Sequence, residues 1–276
     1  MSLPPNVQLV LAPNPSLMTG PGTNSYLVAG ASGPCAVIDP GPDEASHLDA
    51  LARAAQPHGG VSIILVTHGH ADHDAGAAHL REMTGAPVIA WSREGVAATD
   101  RSVDDGDAIA VGERTLRALH TPGHRFDHLC FLLEDAGALF AGDLVAGVGT
   151  VVIVPPEGDL ADYLASLERL LTLSNFHTIL PAHGPIIQDG PALLREYIAH
   201  RLQREQQVLE GLSAGRATIT QLVAGIYADV DPALHDWAGR TVAAHLLKLE
   251  REGRVARPAG AADGGPWRLV TRGDAW

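Results

Sequence analysis

Short strand-like apolar runs alternate with helical apolar periods up to Pro191, and helical periods dominate the chain after it. Val7 to Ala12, Asn24 to Ala29 and Cys35 to Asp39 lie between Gly and Pro turns and are predicted as short strands. Val61 to Thr67 is a nearly continuous, β-branched apolar run, the pattern of a strand buried on both faces. Pro87 to Ala90 and Thr178 to Leu180 extend the strand set. Asp107 to Val111 with Arg114 to Leu119, turning at Gly112, and His128 to Leu133 with Ala138 to Ala141 are predicted as hairpins. His47 to Ala55, Asp74 to Met83 and Leu160 to Leu171 carry helical periods. This alternation predicts two sheets packed together between outer helices.

After Pro191 the pattern becomes helical. Leu193 to Leu212, Thr218 to Tyr227 and Leu234 to Glu252 are predicted helices, followed by a hairpin of Arg254 to Arg257 and Trp267 to Val270 across a Gly-rich turn. Three helices and a hairpin outline a winged-helix unit, and equally a helical lid or a dimerisation element that would make the chain a homodimer. Two domains are expected, residues 1–199 and 200–276.

Composition narrows the setting. The 276 residues, 46% hydrophobic, suffice for one large domain or a core domain with an appendage. No apolar run reaches membrane-spanning length, so no membrane partner is expected. Met1 to Pro5 has neither a basic nor an apolar leader segment, which places the expected compartment in the cytoplasm. Cys35 and Cys130 sit in apolar stretches and are expected as buried thiols in neighbouring strands rather than a disulfide. The net charge of −13 is segregated: residues 1–199 hold 9 basic and 23 acidic residues, residues 200–276 hold 10 and 9. That distribution disfavours duplex DNA as a partner. Carboxylates neutralised by bound metal would weaken the same objection for a single-stranded polyanion.

The candidate chemistry lies in Thr67-His68-Gly69-His70-Ala71-Asp72-His73-Asp74. Three histidines and an aspartate between a buried strand and a helix offer imidazole nitrogen and carboxylate oxygen, the donors zinc prefers. Solvated loops draw Ser, Asn, Lys and Gly instead. His124 after Thr121-Pro122-Gly123, Asp143 after Ala141-Gly142, and His183 before Gly184 repeat one motif, a strand end delivering His or Asp beside Gly. Such a set can hold two metals for two-metal hydrolysis.

His68-x-His70-x-Asp72-His73, Gly123-His124, Gly142-Asp143 and His183-Gly184, in this order, resemble the signature of the metallo-β-lactamase superfamily. The resemblance covers roughly Leu11 to Gln188 and implies an α/β fold, the αβ/βα sandwich. It also implies one metal held by His68, His70 and His124, a second by Asp72, His73 and His183, and Asp143 bridging both. A narrower resemblance runs through Gly20-Pro21-Gly22-Thr23-Asn24-Ser25-Tyr26-Leu27, Gly142 to Thr150, Tyr197 to Arg201 with Arg204 to Gln207, and Ala244 to Glu250. These segments resemble the branch that contains lactamase-beta-like protein 2, which carries a winged-helix-like C-terminal domain and includes a single-stranded-RNA endoribonuclease.

The function implied is a dinuclear hydrolase with two zinc ions, or manganese or iron in their place, attacking through a metal-bridging hydroxide that Asp72 helps to orient. Asn24, His128 and Thr150 are the expected substrate contacts; His128 stands four residues after His124 and could instead orient a ligand. Position 70 is His, where flavo-diiron relatives carry Glu. Asp143 stands where true β-lactamases usually carry Cys or Ser, so β-lactam cleavage is an alternative reading rather than the first. The substrate is expected to be a single-stranded RNA phosphodiester or a small ester, thioester or lactone. A third reading, a metal-sensing DNA-binding regulator, rests on Arg240, Lys248 and Arg251 of the third helix. The C-terminal part is expected to form one wall of the groove. Arg201, Arg204 and Arg240 would then either meet phosphate or carboxylate groups or pair with Glu205, Glu210 or Asp236.

Overall fold

A computed structural model of the chain describes residues 3–258, 260 and 265–271. The first sheet orders β1 (Val7–Leu11), β2 (Asn24–Val28), β3 (Cys35–Ile38), β4 (Val61–Leu65), β5 (Val88–Ala90) and β6 (Arg101–Ser102) from edge to edge. β1 to β3 are antiparallel, and β3 to β6 run parallel. The second sheet orders β11 (Thr178–Pro181), β10 (Ala138–Gly142), β9 (Leu129–Leu133), β8 (Arg114–His120) and β7 (Ala108–Val111). It is antiparallel except for the parallel β10/β11 pair.

Side-chain alternation decides what each face meets. In β2 and β4, Tyr26, Val28, Ile63 and Leu65 join Phe131, Phe140 and Leu116 in the core between the sheets. Their neighbours Leu27, Ile64 and Val66 face outward onto α1 (Ala45–Ala55) and α3 (Ala77–Thr84), meeting Leu48, Leu51 and Leu80. The outer face of the second sheet, Leu119, Cys130, Leu132 and Leu139, is covered by α4 (Leu160–Leu171) through Leu160, Tyr163 and Leu167. The apolar run of β4 was thus continuous because helices and sheet cover both of its faces.

Two expectations are corrected, and one strand was not foreseen. The helix predicted over Asp74 to Met83 is two pieces, α2 (Ala71–Asp74) and α3, divided at Gly76. The Gly76 N–H donates to Gly41 O at 3.0 Å, and a Cβ there would lie 2.8 Å from the Leu48 side chain. Cys35 and Cys130 are free and buried as expected, but one packs behind each sheet rather than on neighbouring strands. β6 carried no apolar signal, since both of its residues are exposed and only main-chain pairing defines it.

The C-terminal helices are α5 (Gly190–Ser213), α6 (Ile219–Ile226) and α7 (His235–Arg251), with the short pair β12 (Val255–Ala256) and β13 (Arg268–Leu269). Residues 259 and 261–264 of the Gly-rich turn between these strands and the last five residues lie outside the described residues. The boundary expected at 199/200 falls inside α5. Leu194 and Tyr197 of that helix pack on the second sheet, while Val208 and Leu212 join α6 and α7 in a separate core with Val242, Leu246 and Trp267. Among the described residues no helix is long and apolar enough to cross a membrane.

Candidate metal centre

The strand ends named from the sequence meet at one edge of the sandwich. His68, His70, His124 and Asp143 form one cluster, and Asp72, His73 and His183 a second, with donor atoms within 4.8 Å of one another in each. All seven expected ligands are therefore brought together. In the first cluster His70 Nδ1 lies 2.9 Å from His68 Nε2 and 3.0 Å from His124 Nε2. In the second, His183 Nε2 lies 3.2 Å from Asp72 Oδ2 and 3.3 Å from Asp143 Oδ1. Asp143 faces both ways: Oδ1 is also 3.6 Å from His73 Nε2, while Oδ2 is 3.6 Å from His124 Nε2.

The hydrogen bonds behind the clusters turn lone pairs inward. The Thr67 hydroxyl donates to Asp39 Oδ2 at 2.8 Å, so it accepts from His68 Nδ1 at 3.0 Å and leaves His68 Nε2 a bare acceptor. His73 Nδ1 donates to Asp39 Oδ2 at 2.9 Å, and His124 Nδ1 to the Val152 carbonyl at 3.0 Å. Asp39 also accepts from the Thr67 N–H at 2.7 Å, and its own backbone stands at φ 50°, a region a non-glycine residue seldom occupies. A single buried carboxylate thus fixes two candidate ligands. It was read from the sequence only as a strand end; the signal available was a polar residue closing an apolar strand before Pro40-Gly41.

Two expected substrate contacts have other work. Asn24 is buried, and its amide donates to the carbonyls of Pro181 at 3.0 Å and Gly184 at 2.9 Å, clamping the loop that carries His183. His128 is fully buried; its Nε2 accepts from the Asp143 N–H at 3.1 Å and its Nδ1 donates to Thr121 Oγ1 at 2.9 Å. It anchors the main chain of a candidate ligand, which corresponds to the second of the roles open to it. Gly142, at φ 47°, lets these residues close in, since a Cβ there would stand 2.7 Å from His128 Nε2 and 2.8 Å from Thr67 Oγ1. Thr150 is exposed and lines the cavity over the clusters.

Electrostatics separates the ligands. Burial, then the neighbouring imidazoles, hold His68 well below the usual histidine range, and burial followed by His124 pushes His70 down to about 4. Burial alone would raise the Asp143 carboxyl, but His73, His183 and His124 outweigh it and hold it well below the carboxylate range. Burial would lower His73, yet the carboxylates of Asp143 and Asp39 raise it well above its ordinary value. His73 Nε2 is nonetheless buried without a hydrogen-bond partner. An orphaned inward nitrogen, and three imidazole nitrogens about one tetrahedral edge apart (roughly 3.3 Å for bonds near 2.0 Å), suit borderline divalent cations.

A cavity of about 710 Å³ opens over the clusters, with His70, Asp72, His124, Asp143 and His183 lining it. Its opposite wall comes from α5 to α7 and includes His200, Arg201, Arg204, Trp237 and Arg240. Of the three cations that suggested a DNA-reading helix, Arg240 faces this cavity, Lys248 is bonded to Glu205 at 2.7 Å, and Arg251 is bonded to Asp159.

A sequence profile described as the metallo-beta-lactamase superfamily matches residues 18–183, and one described as the beta-lactamase associated winged helix domain matches residues 218–267. Lactamase-like protein adaB of Aspergillus niger is 41% identical over 218 residues, 78% of this chain and 66% of that protein, so the match falls just short of two thirds of the relative's length. The beta-lactamase-like protein 2 homolog of Caenorhabditis elegans is 33% identical over 91% of this chain and 86% of its own. An atrochrysone carboxyl ACP thioesterase of a Cryptosporiopsis species is 30% identical over 91% of this chain and 82% of its own. The crystal structure of a metallo-beta-lactamase family protein from Thermus thermophilus superimposes with a TM-score of 0.79 at 24% identity, covering 98% of this chain and 100% of that one.

Proposed function

Because the chain belongs to the metallo-β-lactamase superfamily of hydrolases and carries the associated winged-helix domain, we propose that it is a dinuclear zinc hydrolase that cleaves the thioester or ester of an extended, largely apolar acyl group. The observation that carries this reading is the cavity. At about 710 Å³ it is of the size that encloses a drug-sized molecule. Its lining includes Leu17, Met18, Val148 and Leu234, large apolar side chains left exposed. A polyanion track would instead need aromatic rings free to stack on bases. Here the aromatic residues of the wall already lie against arginines: Tyr227 under Arg204 at 4.6 Å and Trp237 under Arg240 at 5.1 Å. The relative named as a carrier-protein thioesterase supports the same choice.

His68, His70 and His124 would hold one zinc, Asp72, His73 and His183 the other, with Asp143 between them. Metal in such a cage activates water and neutralises charge developing on the oxygen of the substrate bond. The chain's own residues do the rest. Asp39 and His128 keep the donors aimed, so little reorganisation is needed when the substrate binds. Asp72, the acid of the second cluster, has 29% of its side chain exposed and lines the cavity, and it would orient the attacking water. Thr150 is the expected substrate contact that faces the bound acyl group. The Leu17–Met18 loop and Val148 shield the apolar part from water.

Turnover by metal-replete protein tests the reading, on four substrates: an aromatic acyl thioester of N-acetylcysteamine, a small chromogenic ester, a single-stranded RNA and a cephalosporin. The thioester is expected to give the highest kcat/KM. RNA cleavage exceeding it would overturn the substrate class. One metal equivalent that does not rise on zinc titration would overturn the dinuclear assignment.

A further inference from the structure

The wall that faces the ligands holds buried positive charge without a counter-ion. Arg201 of α5 is 1% exposed and lines the cavity. One terminal nitrogen donates to the Val151 carbonyl and the guanidinium lies 5.3 Å from the Tyr163 ring, but its Nε has no hydrogen-bond partner. Arg204, nearly one turn further along the same helix, gives Nη1 to Gln207 at 2.8 Å, and its Nε is likewise buried and unpartnered. His200 Nδ1 is in the same condition. Behind them, both ring nitrogens of His245 on α7 are buried and unpartnered. The acids at hand are occupied. Glu205 receives Lys248 and Arg254, each at 2.7 Å, and Glu157 receives Arg125 at 3.1 Å. Among the described residues neither Arg201 nor Arg204 has a carboxylate partner, so the pairing with Glu205, Glu210 or Asp236 does not form.

Withdrawing a guanidinium from water without a compensating anion is costly. A fold that keeps one in the wall of its substrate cavity leaves the compensation to what enters. We propose that Arg201, with Arg204 and His200, forms an oxyanion subsite, and that the substrate carries a carboxylate or phosphate group which this subsite holds while the acyl bond reaches the opposite wall. This rests on the reading of the cavity as the substrate site. The planar guanidinium fork suits either anion in bidentate fashion, and Lys would not replace it. One buried fork beside an apolar rim specifies one anionic group on a mostly apolar molecule. The group sits either on the acyl part, as a free carboxylate, or on the thiol part, as the phosphate of a pantetheine arm.

Three matched thioesters separate these sources: a neutral acyl group on N-acetylcysteamine, the same acyl group bearing a terminal carboxylate, and the neutral acyl group on 4′-phosphopantetheine. Wild type and Arg201→Met, at equal zinc content, are compared on each. The variant is expected to lose about 100-fold in kcat/KM, mostly through KM, on one charged substrate, and less than about threefold on the neutral one. Equal loss on all three would reduce Arg201 to a fastening of the Val151 loop, and no loss on any would remove it from the site. Should Arg201→Met fail to fold, Arg204→Gln makes the same comparison, with an expected loss of about tenfold. Calorimetric titration of inorganic phosphate and of succinate into both metal-replete proteins tests the subsite even where no thioester is turned over. Binding lost in the variant upholds it although the hydrolase reading has failed, and equal binding in both overturns it.

Discussion

On the sandwich side of the cavity the titratable groups hold one another. Asp39 takes three donors from Thr67 and His73, His128 takes the Asp143 N–H, and the carboxylates of Asp143 and Asp72 stand between imidazoles. On the α5–α7 side, Arg201, Arg204, His200 and His245 carry buried nitrogens that no described residue hydrogen-bonds, whereas the orphaned nitrogens of the sandwich side, His73 Nε2 and His183 Nδ1, belong to candidate ligands that stand against carboxylates. The first wall is preorganised around a charge of its own making; the second waits for a charge brought by a ligand. This difference separates positions where a change alters chemistry from positions where it alters recognition or pH response.

The largest effect is expected at Asp143→Ala, where hydrolysis should fall by at least about 10³-fold while the circular dichroism spectrum is retained. His128 bonds the main chain of residue 143, not its side chain, so the loop keeps its anchor. Metal content should drop with activity, and a near wild-type kcat would show that Asp143 does not bridge. Next comes Asp39→Asn, which keeps an acceptor for Thr67 but removes the charge beside His73. A loss of about 10- to 100-fold in metal affinity, read by chelator competition, is expected from weakening such support. An unchanged affinity would remove Asp39 from the site.

The opposite wall gives a pH effect. Burial, then Arg201, pushes His245 down to about 3 in the folded protein, against an ordinary value of 6.5. Between those values the unfolded chain binds the extra proton. The contribution of His245 to stability is therefore intact above pH 6.5 and is lost progressively as pH falls below it. His245→Leu should lose less stability than wild type between pH 7.5 and pH 5, by about 2 kcal/mol, measured by urea unfolding at the two pH values. Parallel losses in both proteins would mean His245 is not held neutral. The smallest effect is expected at Val148→Ser, an exposed side chain on the cavity rim. Stability should stay within about 0.5 kcal/mol, while KM for an apolar acyl substrate rises about threefold. A KM unchanged across acyl lengths would take Val148 out of the apolar surface.

Much of this architecture was legible because its signals are local. Leu160–Leu171 was bounded as it occurs, since a 12-residue amphipathic period records the face that meets the sheet. The seven candidate ligands were readable from strand ends beside Gly and from the helix start that carries Asp72 and His73, each a pattern of a few consecutive residues. Asp39 was not, because what marks it is a contact with His73, 34 residues away. Asn24 was expected to face the substrate and instead holds main-chain carbonyls, while for His128 the sequence left two roles open. A polar side chain near a site looks the same in sequence whether it faces the cavity or a backbone carbonyl.

By itself, then, the sequence determined the two-sheet arrangement, the helical C-terminal unit and the order of the candidate donors, all of which are written in periodicity and short motifs. Only the tertiary structure decided that α5 belongs to both cores, that Asp143 faces both clusters, and that Arg201 is buried and Arg204 half-buried in the far wall without an acid. Each of those depends on which groups lie within a few ångströms after distant chain segments are brought together. Burial and pairing are properties of that assembly; no window of the chain contains them.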